Sequence, residues 1–273
     1  KSAHYDQDAK QAILSYAYKD GPTFNEIIDF VGAKETLNDL ELEALNKALR
    51  ALHLAAGISY YKAYCPHQII IENEALSKAE ADFFNKFYVM GLGEFSAVNN
   101  IILKGHISFP VQTTENPSPS TIKSPNACVV PIGGGKDSIV SLEALKQAGR
   151  PLRMIAVNPG RPIKDVMGVA DVKGSILITR NIDKALFELN EKGAMNGHVP
   201  ITGILSFIMA CGAILYGYDS VVMSNEGSAS EGNMEFGGID VNHQYSKSLE
   251  FELDFEGFIK KHVLANFSYF SFL

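Results

Sequence analysis

Three consecutive glycines stand between a short apolar run and the start of an amphipathic segment. The run covers 129–132, glycines occupy 133–135, and Lys136, Asp137 and Ser138 follow. Glycine lets a backbone approach a bound group closely, and the first amides of a helix favour an anion. The order predicts a strand, a turn and a helix that hold the phosphates of a nucleotide. The alternative is an ordinary glycine-rich turn between a strand and a helix.

Strand and helix signals alternate after this point. Strands are predicted at 128–132, 152–157, 176–179 and 220–223, and helices at 138–148, 162–169, from about 183, and at 199–216. Short apolar strands separated by helices are typical of a parallel sheet with helices on both faces. Ligands of such sheets bind at the carboxyl ends of the strands. We therefore expect the chemistry just after residues 132, 157, 179 and 223.

The first part of the chain mixes helix and strand signals. Thr36 with Asp39 and Ser77 with Glu80 have the spacing of capping boxes, which predicts two helix starts. The segments 58–61 and 68–72 are rich in Ile and Tyr, which predicts strands.

A stretch with three prolines among Ser and Thr follows at 112–126 and is incompatible with a continuous helix or a central strand. We interpret it as a linker. The expected organisation is a smaller N-terminal α+β domain at 1–111 and a nucleotide-binding α/β domain with a C-terminal extension at 127–273.

Composition limits the partners. Thirty-one acidic and 24 basic residues give a net charge of −7, which argues against binding long nucleic acid by charge alone. Three distant cysteines have no disulfide or metal-ligand spacing and fit a reducing cytoplasm, and no secretory signal opens the sequence. The uncharged segment 199–218 is broken by Pro200, Thr202 and Ser206, which favours a buried core helix over a membrane span. A soluble, cytoplasmic protein with a small-molecule substrate is expected, in an oligomeric state that the sequence does not set.

Polar side chains follow several of the predicted strands. Asn158 follows the second and either meets an adenosine or forms a plain turn. Asn225 and Glu226 follow the last and either contact a metal or substrate or belong to a polar loop. His198 precedes the apolar helix, whose N-terminus favours a neutral ring, so it is either a base or a satisfied part of the helix cap. His243 and Lys247 lie in a segment dense in hydrogen-bonding groups, 240–248, which is either catalytic or a solvated loop.

The order Gly-Gly-Gly-Lys-Asp-Ser fits neither a Walker A loop nor a dinucleotide-binding loop. It resembles the Ser-Gly-Gly-x-Asp-Ser loop of the PP-loop, or N-type, ATP pyrophosphatases, with Gly133 in place of the first Ser. The resemblance implies a PP-loop ATPase-like fold (HUP, adenine nucleotide α-hydrolase-like) and cleavage of ATP between its α and β phosphates. By the same resemblance Gly134, Gly135 and Ser138 would hold phosphate, Asp137 would help hold Mg²⁺, and Lys136 would neutralise charge. Gly133 would offer its backbone amide alone.

A more specific resemblance joins segments spread over most of the chain. They are 57–62, 91–95 with Asn99, the glycine loop, 196–200, 224–226 and 241–248. Together they resemble the UDP-N-acetylmuramoyl-L-alanyl-L-glutamate epimerases of the MurL type. The resemblance implies an enzyme of peptidoglycan precursor synthesis that converts the terminal L-Glu of UDP-MurNAc-L-Ala-L-Glu to D-Glu and releases AMP and pyrophosphate. It also leads us to expect a basic residue where Gly227 stands, and a chain with more at both ends.

Residue chemistry suggests how such a reaction would proceed. Adenylation would neutralise the glutamyl carboxylate. A base would then remove the proton from Cα, and an acid would return a proton to the opposite face of Cα. We expect His198 and His243 to be the acid and base, with Lys247 or Lys62 orienting carboxylates. Asp137 and Glu226 are the expected Mg²⁺ ligands.

Two other functions remain open. One is a PP-loop enzyme that adenylates another substrate, for example in tRNA modification or amide formation, although tRNA enzymes usually carry basic surface and thiolases need reactive cysteines. The other is a non-catalytic nucleotide-binding domain, which Gly133 and Gly227 would suit.

Overall fold

A computed structural model of the protein describes residues 1–72, 75–123, 126–170, 172–231 and 234–272. The strands are β1 (Ser2–Asp6), β2 (Gln11–Ala17), β3 (Thr23–Asp29), β4 (Cys128–Pro131), β5 (Leu152–Val157), β6 (Ile176–Asn181), β7 (Ser220–Met223), β8 (Met234–Phe236), β9 (Ile239–Val241) and β10 (Ser268–Ser271). The α-helices are α1 (Asp39–Ala56), α2 (Ile58–Tyr61), α3 (Lys78–Gly91), α4 (Gly93–Asn99), α5 (Lys136–Gln147), α6 (Arg161–Val169), α7 (Lys184–Glu191), α8 (Ile201–Tyr216) and α9 (Leu249–His262).

Eight strands form one mixed sheet in the order β1-β2-β3-β6-β5-β4-β7-β10, and β8 pairs with β9 separately. Strands β6, β5, β4, β7 and β10 are parallel to one another, so their carboxyl ends lie at one edge. The pairings β2–β3 and β3–β6 are antiparallel, so β2 runs in the same direction as β6. The carboxyl end of β2 therefore lies at the edge where the parallel strands also end.

The first three strands were not expected from the sequence. In β2 the side chains of Ala12 and Leu14 are fully buried, and in β3 those of Phe24, Glu26 and Ile28 are. Because β3 pairs with β6, the N-terminal strands extend the sheet that contains the glycine loop. The predicted division at 112–126 stays a prediction, as does a PP-loop ATPase-like fold, and residues 124 and 125 of that segment lie outside the described residues.

Helix α8 lies in the main core, where α1 packs against it. Its side chains from Phe207 to Tyr216 are all buried, which accounts for the uncharged stretch in the sequence. The prediction of a buried core helix agrees with this placement. Within the described ranges, no helix combines the length and apolar character that a membrane span requires.

Local predictions near the N-terminus had mixed outcomes. The capping box of Ser77 and Glu80 is confirmed, but α1 begins at an Asn38–Glu41 box rather than at Thr36. The strand predicted at 58–61 was wrong, because all four residues are buried in α2, which follows α1 directly. Residues 68–72, also predicted as a strand, form an irregular segment. Tertiary packing overrides the strand preference of Ile and Tyr in both segments.

Candidate functional site

A cavity of about 360 Å³ lies at the carboxyl ends of β4, β5 and β7, and we name it the loop cavity. The glycine loop forms one wall with Gly133, Gly135, Asp137 and Ser138. The opposite lining comes from α8 and the end of β7: Thr202, Leu205, Ser206, Met209, Met223, Ser224 and Asn225. Of the four positions where we predicted the chemistry, those after residues 132 and 223 line this cavity. Val157 lines it at the end of β5, whereas the residues directly after 157 and 179 do not.

The backbone of the glycine loop requires a glycine at position 134. Gly134 has a φ of +80°, and a Cβ atom there would lie 3.2 Å from Cγ1 of Ile163. Beside Gly133 and Gly135 a Cβ would meet no heavy atom within 4 Å. Helix α5 then begins at Lys136 without a side-chain cap. The loop thus combines open space with helix N-terminal amides, which is the chemistry that binds phosphate.

The predicted residues around the loop differ in placement. Ser138 donates from Oγ to the carbonyl oxygen of Gly135 at 2.9 Å, and Lys136 is exposed outside the cavity lining. Asn158 also lies outside the lining. Its Nδ2 donates to the carbonyl of Arg180 and its Oδ1 accepts from the Arg180 amide, both at 2.8 Å. This side chain links the ends of β5 and β6, and the predicted adenosine contact stays a prediction.

Asn225 has an unusual position on the wall of the loop cavity. Its side chain is buried, and its Nδ2 has no hydrogen-bond partner among the described residues. The neighbouring Ser224 is occupied, since its Oγ donates to Oγ of Ser141 at 2.8 Å. A buried amide group without a partner costs free energy, so a ligand acceptor in the cavity would satisfy it.

The predicted magnesium ligands are less closely arranged. Asp137 lines the loop cavity, whereas Glu226 is exposed and accepts a hydrogen bond from Ser228 at 3.2 Å. In the part of the chain that the structure describes, no three His, Cys, Asp or Glu side chains form a metal-binding group. Mg²⁺ is commonly bound by one or two carboxylates and substrate phosphates, so Asp137 suits that arrangement. Gly227 is exposed beside Glu226.

A second cavity, of about 340 Å³, contains the predicted acid–base residues, and we name it the histidine cavity. It is lined by His198, Ile201, Thr202, His243, Gln244, Ser246 and Lys247. Thr202, in the first turn of α8, lines both cavities. The structure thus brings the three predicted catalytic residues together and places them next to the glycine loop.

Two segments form the histidine cavity. In the first, Gly197 has a φ of +153°, and a Cβ there would lie 3.1 Å from the ring of Phe95. His198 follows with Nδ1 3.8 Å from a carboxylate oxygen of Glu94, and Pro200 precedes α8. Glycine therefore permits the turn that presents His198.

The second segment is fixed by its own polar side chains. Asn242 donates from Nδ2 to the carbonyl of Ala229 at 2.7 Å, and its Oδ1 accepts from the amide of Gln244. Ser248 caps α9 by accepting from the amide of Phe251. These bonds define the conformation from which His243 and Lys247 face the cavity.

Lys62 is placed behind the first segment. It is 6% exposed, and its ammonium group donates to Oδ1 of Asn196. Burial lowers the pKa of Lys62 below its usual value. It is outside the lining of the histidine cavity, so the structure supports a role in holding the 196–200 loop more directly than one in orienting a substrate carboxylate.

Sequence reasoning did not single out four polar residues that line the two cavities. Thr202 and Ser206, four positions apart on one face of α8, were interpreted as interruptions of an apolar helix, although their spacing was a usable signal. Gln244 and Ser246 lie inside the polar segment at 240–248 without having been singled out.

Comparisons with known proteins agree on one family. The family model described as the MurL N-terminal domain matches residues 1–272. A UDP-N-acetyl-alpha-D-muramoyl-L-alanyl-L-glutamate epimerase of Xanthomonas oryzae pv. oryzae is 38% identical over 273 residues, covering 96% of this chain and 58% of that protein. Proteins of the same name from Salinispora tropica and a Micromonospora species are 35% and 36% identical, covering 100% and 96% of this chain and 60% and 59% of their own length. No solved structure matches. The chain spans about three fifths of the length of these relatives.

Proposed function

Because the chain belongs to the MurL family, we propose that it carries the epimerisation site for the terminal L-Glu of UDP-MurNAc-L-Ala-L-Glu and acts with ATP in peptidoglycan precursor synthesis. One observation supports this most directly. Thr202 lines both the loop cavity and the histidine cavity, so a phosphate site adjoins a cluster of acid–base groups. Activation of a carboxylate followed by α-proton exchange needs this adjacency.

The loop cavity has features that suit the phosphates of ATP. The open space beside Gly133 and Gly135 and the N-terminal amides of α5 suit phosphate oxygens. So does Nδ2 of Asn225, which has no hydrogen-bond partner among the described residues. Asp137 would hold Mg²⁺ together with those oxygens. Bound there, ATP would supply the adenylyl group that neutralises the glutamyl carboxylate. Side chains of the histidine cavity would carry out the proton transfers at Cα.

His198 and His243 both line that cavity and come from separate segments, before α8 and before α9. Epimerisation needs one group to remove the α-proton and another to return a proton on the opposite face. Two imidazoles from different segments meet that need, and Lys247, which lines the same cavity, offers a cation for the developing negative charge.

The test is solvent exchange at the substrate. The chain is incubated in D₂O with UDP-MurNAc-L-Ala-L-Glu, with and without ATP and Mg²⁺, and the glutamate is then analysed for deuterium at Cα and for chirality. We expect ATP-dependent deuterium incorporation and D-Glu. His198→Ala and His243→Ala should each lower the exchange rate by about 10²-fold or more, while His4→Ala, an exposed histidine on β1, should not.

ATP binding, measured by calorimetry, serves as the control for folding and should survive all three replacements. Exchange at the wild-type rate in both cavity variants would disprove the acid–base roles. Exchange that needs no ATP would disprove the activation step and leave the epimerisation standing.

A further inference from the structure

A third cavity, which we name the aromatic cavity, lies away from the two described above and shares no lining residue with them. Its volume is about 150 Å³. Its aromatic lining consists of Tyr16, Tyr18, Phe24, His53, Tyr60, Tyr61, Tyr88 and Phe109. The ring of Tyr16 stacks on that of Tyr60 at 4.5 Å and lies 4.7 Å from His53. Such a lining suits a flat ring that stacks.

The ionisable aromatic groups of this cavity are neutral near pH 7. Burial lowers the pKa of His53 to about 4, and its Nε2 lies 2.9 Å from the carbonyl oxygen of Ser15, which requires the proton on Nε2. Burial raises the pKa of Tyr16, Tyr60 and Tyr61 above the ordinary tyrosine value. Lys1, which also lines the cavity, is paired with Glu72 at 2.6 Å. An uncharged ring is therefore favoured over a phosphate or a carboxylate at this position.

The tyrosine hydroxyl groups of the lining differ in whether they have a hydrogen-bond partner. Those of Tyr16, Tyr18 and Tyr88 donate to backbone carbonyls, and that of Tyr60 accepts from the amide of Asp183. The hydroxyl of Tyr61 is buried and, within the described ranges, has no partner. Tyr61 lines the aromatic cavity and is 7% exposed. A polar edge of a bound ring would satisfy its hydroxyl group.

A wider cavity of about 350 Å³ adjoins the aromatic cavity. The two share the lining residues Lys1, Ala17, Tyr18, Pro66, Gln68 and Ile70, and the wider one adds Glu72 and, from the turn after β2, Lys19. Glu72 is paired with Lys1 at 2.6 Å. Lys19 is exposed. A stacking site thus opens towards a cation, which is the arrangement that a nucleoside with a 5′ phosphate requires.

The position along the sheet connects this site to the reaction. The turn after β2 lies at the edge where β4 and the glycine loop also lie. Four strand spacings separate β2 from β4, which is about 19 Å. Tyr61 is followed directly by Lys62, which donates to Asn196, two residues before His198. A nucleotide held here would extend along the edge towards the histidine cavity.

From these observations we propose that the aromatic cavity binds the uracil ring of the UDP-linked substrate and that Lys19 contacts its diphosphate. The inference rests on the proposed function for the identity of the base. Uracil is favoured over adenine because a small cavity suits a single ring, and because the phosphate site expected for ATP is at β4, four strands away.

The experiment measures binding of UDP, uridine and adenosine to the whole chain by calorimetry and saturation-transfer NMR. UDP should bind more tightly than uridine, and uridine more tightly than adenosine. Tyr61→Phe should weaken uridine about two- to tenfold, whereas Tyr5→Phe, which removes another buried hydroxyl without a partner among the described residues, should not. Ala17→Leu, which fills the mouth of the cavity, should weaken both uridine and UDP.

The role of Lys19 is tested with a variant and a matched control. Lys19→Gln should weaken UDP and leave uridine unchanged, and Lys173→Gln, an exposed lysine before β6 at the opposite edge, should change neither. Adenosine binding as tightly as uridine, or uridine binding that is insensitive to both Tyr61→Phe and Ala17→Leu, would overturn the inference. Epimerisation with no uridine binding would refute the inference alone. Tyr61-dependent UDP binding without α-proton exchange would refute the proposed function and leave a uridine nucleotide site.

Discussion

The ammonium group of Lys62 donates a hydrogen bond to the side-chain carbonyl of Asn196, so the end of α2 holds the loop that carries His198. The two residues are 134 positions apart, and Lys62 is almost fully buried while Asn196 is exposed. Burial of a cation without a countercharge is unfavourable, as the lowered pKa of Lys62 indicates. We therefore infer that the contact positions the loop of His198 and adds little to the free energy of unfolding.

Replacement of Lys62 should separate activity from stability. Lys62→Met removes a poorly solvated charge, so the free energy of unfolding should stay the same or rise. The α-proton exchange rate should fall about tenfold, because the loop of His198 loses its attachment. A double-mutant cycle with Asn196→Ala, read by exchange rate and by urea unfolding, should show coupling in the rate only. Additive effects on the rate would contradict a shared role.

A buried ion pair connects the N-terminal strands to the rest of the sheet. Nε and Nη2 of Arg180 on β6 lie 2.7 and 3.1 Å from the carboxylate oxygens of Glu26 on β3, and both residues are buried. Arg180→Ala leaves a buried carboxylate without its partner and should lower the free energy of unfolding by about 3–5 kcal/mol. The double variant Glu26→Leu, Arg180→Met should recover most of that loss in urea unfolding. If the double variant is as unstable as Arg180→Ala, the loss of stability comes from losing the ion pair and not from leaving the Glu26 carboxylate unpaired.

His53 should make the fold sensitive to acid. Burial lowers its pKa from 6.5 to about 4 in the folded protein, so the neutral form is favoured by folding. The contribution of neutral His53 to the free energy of unfolding is complete above pH 6.5. It is lost as the pH falls from 6.5 towards 4, by up to about 3 kcal/mol. The measurement is the free energy of unfolding between pH 7.5 and 4.5 for the wild type and for His53→Gln, whose curve should be flatter in this window. Parallel curves would exclude His53 as the source.

The strands of the parallel part were predictable because each is a short apolar run bounded by turn residues. The bounds of β5 and β7 agree with the prediction, and β4 and β6 differ by one or two residues. Strand β3 was harder, since a buried Glu26 breaks its apolar alternation. Its partner Arg180 is 154 residues away and is invisible to a local pattern.

In the candidate site, too, features set by neighbouring residues were predictable and features set by distant contacts were not. The glycine loop was predictable from consecutive residues, and His198, His243 and Lys247 do line one cavity. Their adjacency to the loop depends on α8, whose Thr202 faces both cavities. That relationship follows from packing of α8 in the core, which no spacing in the sequence specifies.

Two neighbouring glycines of the loop should respond oppositely to substitution. Gly134→Ala places a Cβ at a φ of +80° and 3.2 Å from Ile163, and strain of about 1–2 kcal/mol should weaken ATP binding about tenfold. Gly133→Ser has open space beside it and restores the hydroxyl donor of the loop that it resembles, so ATP should bind two- to tenfold more tightly. Calorimetry with ATP and Mg²⁺ measures both. Equal weakening would indicate that the loop is a structural turn.

Asn225 offers a test in which stability and ligand binding move apart. Its buried Nδ2, which has no partner among the residues described, costs about 1–3 kcal/mol in the free protein. Asn225→Leu keeps the volume and removes that cost, so the free energy of unfolding should hold or rise. The affinity for ATP should fall about fivefold or more, because the amide group is no longer there to donate to a phosphate oxygen. Asn190→Leu, on α7 and outside the loop cavity, removes another buried polar atom that has no partner within the described ranges, and it should leave ATP affinity unchanged. If Asn225→Leu binds ATP as tightly as the wild type, the unpartnered amide has another purpose and the loop cavity loses its strongest evidence for a phosphate ligand.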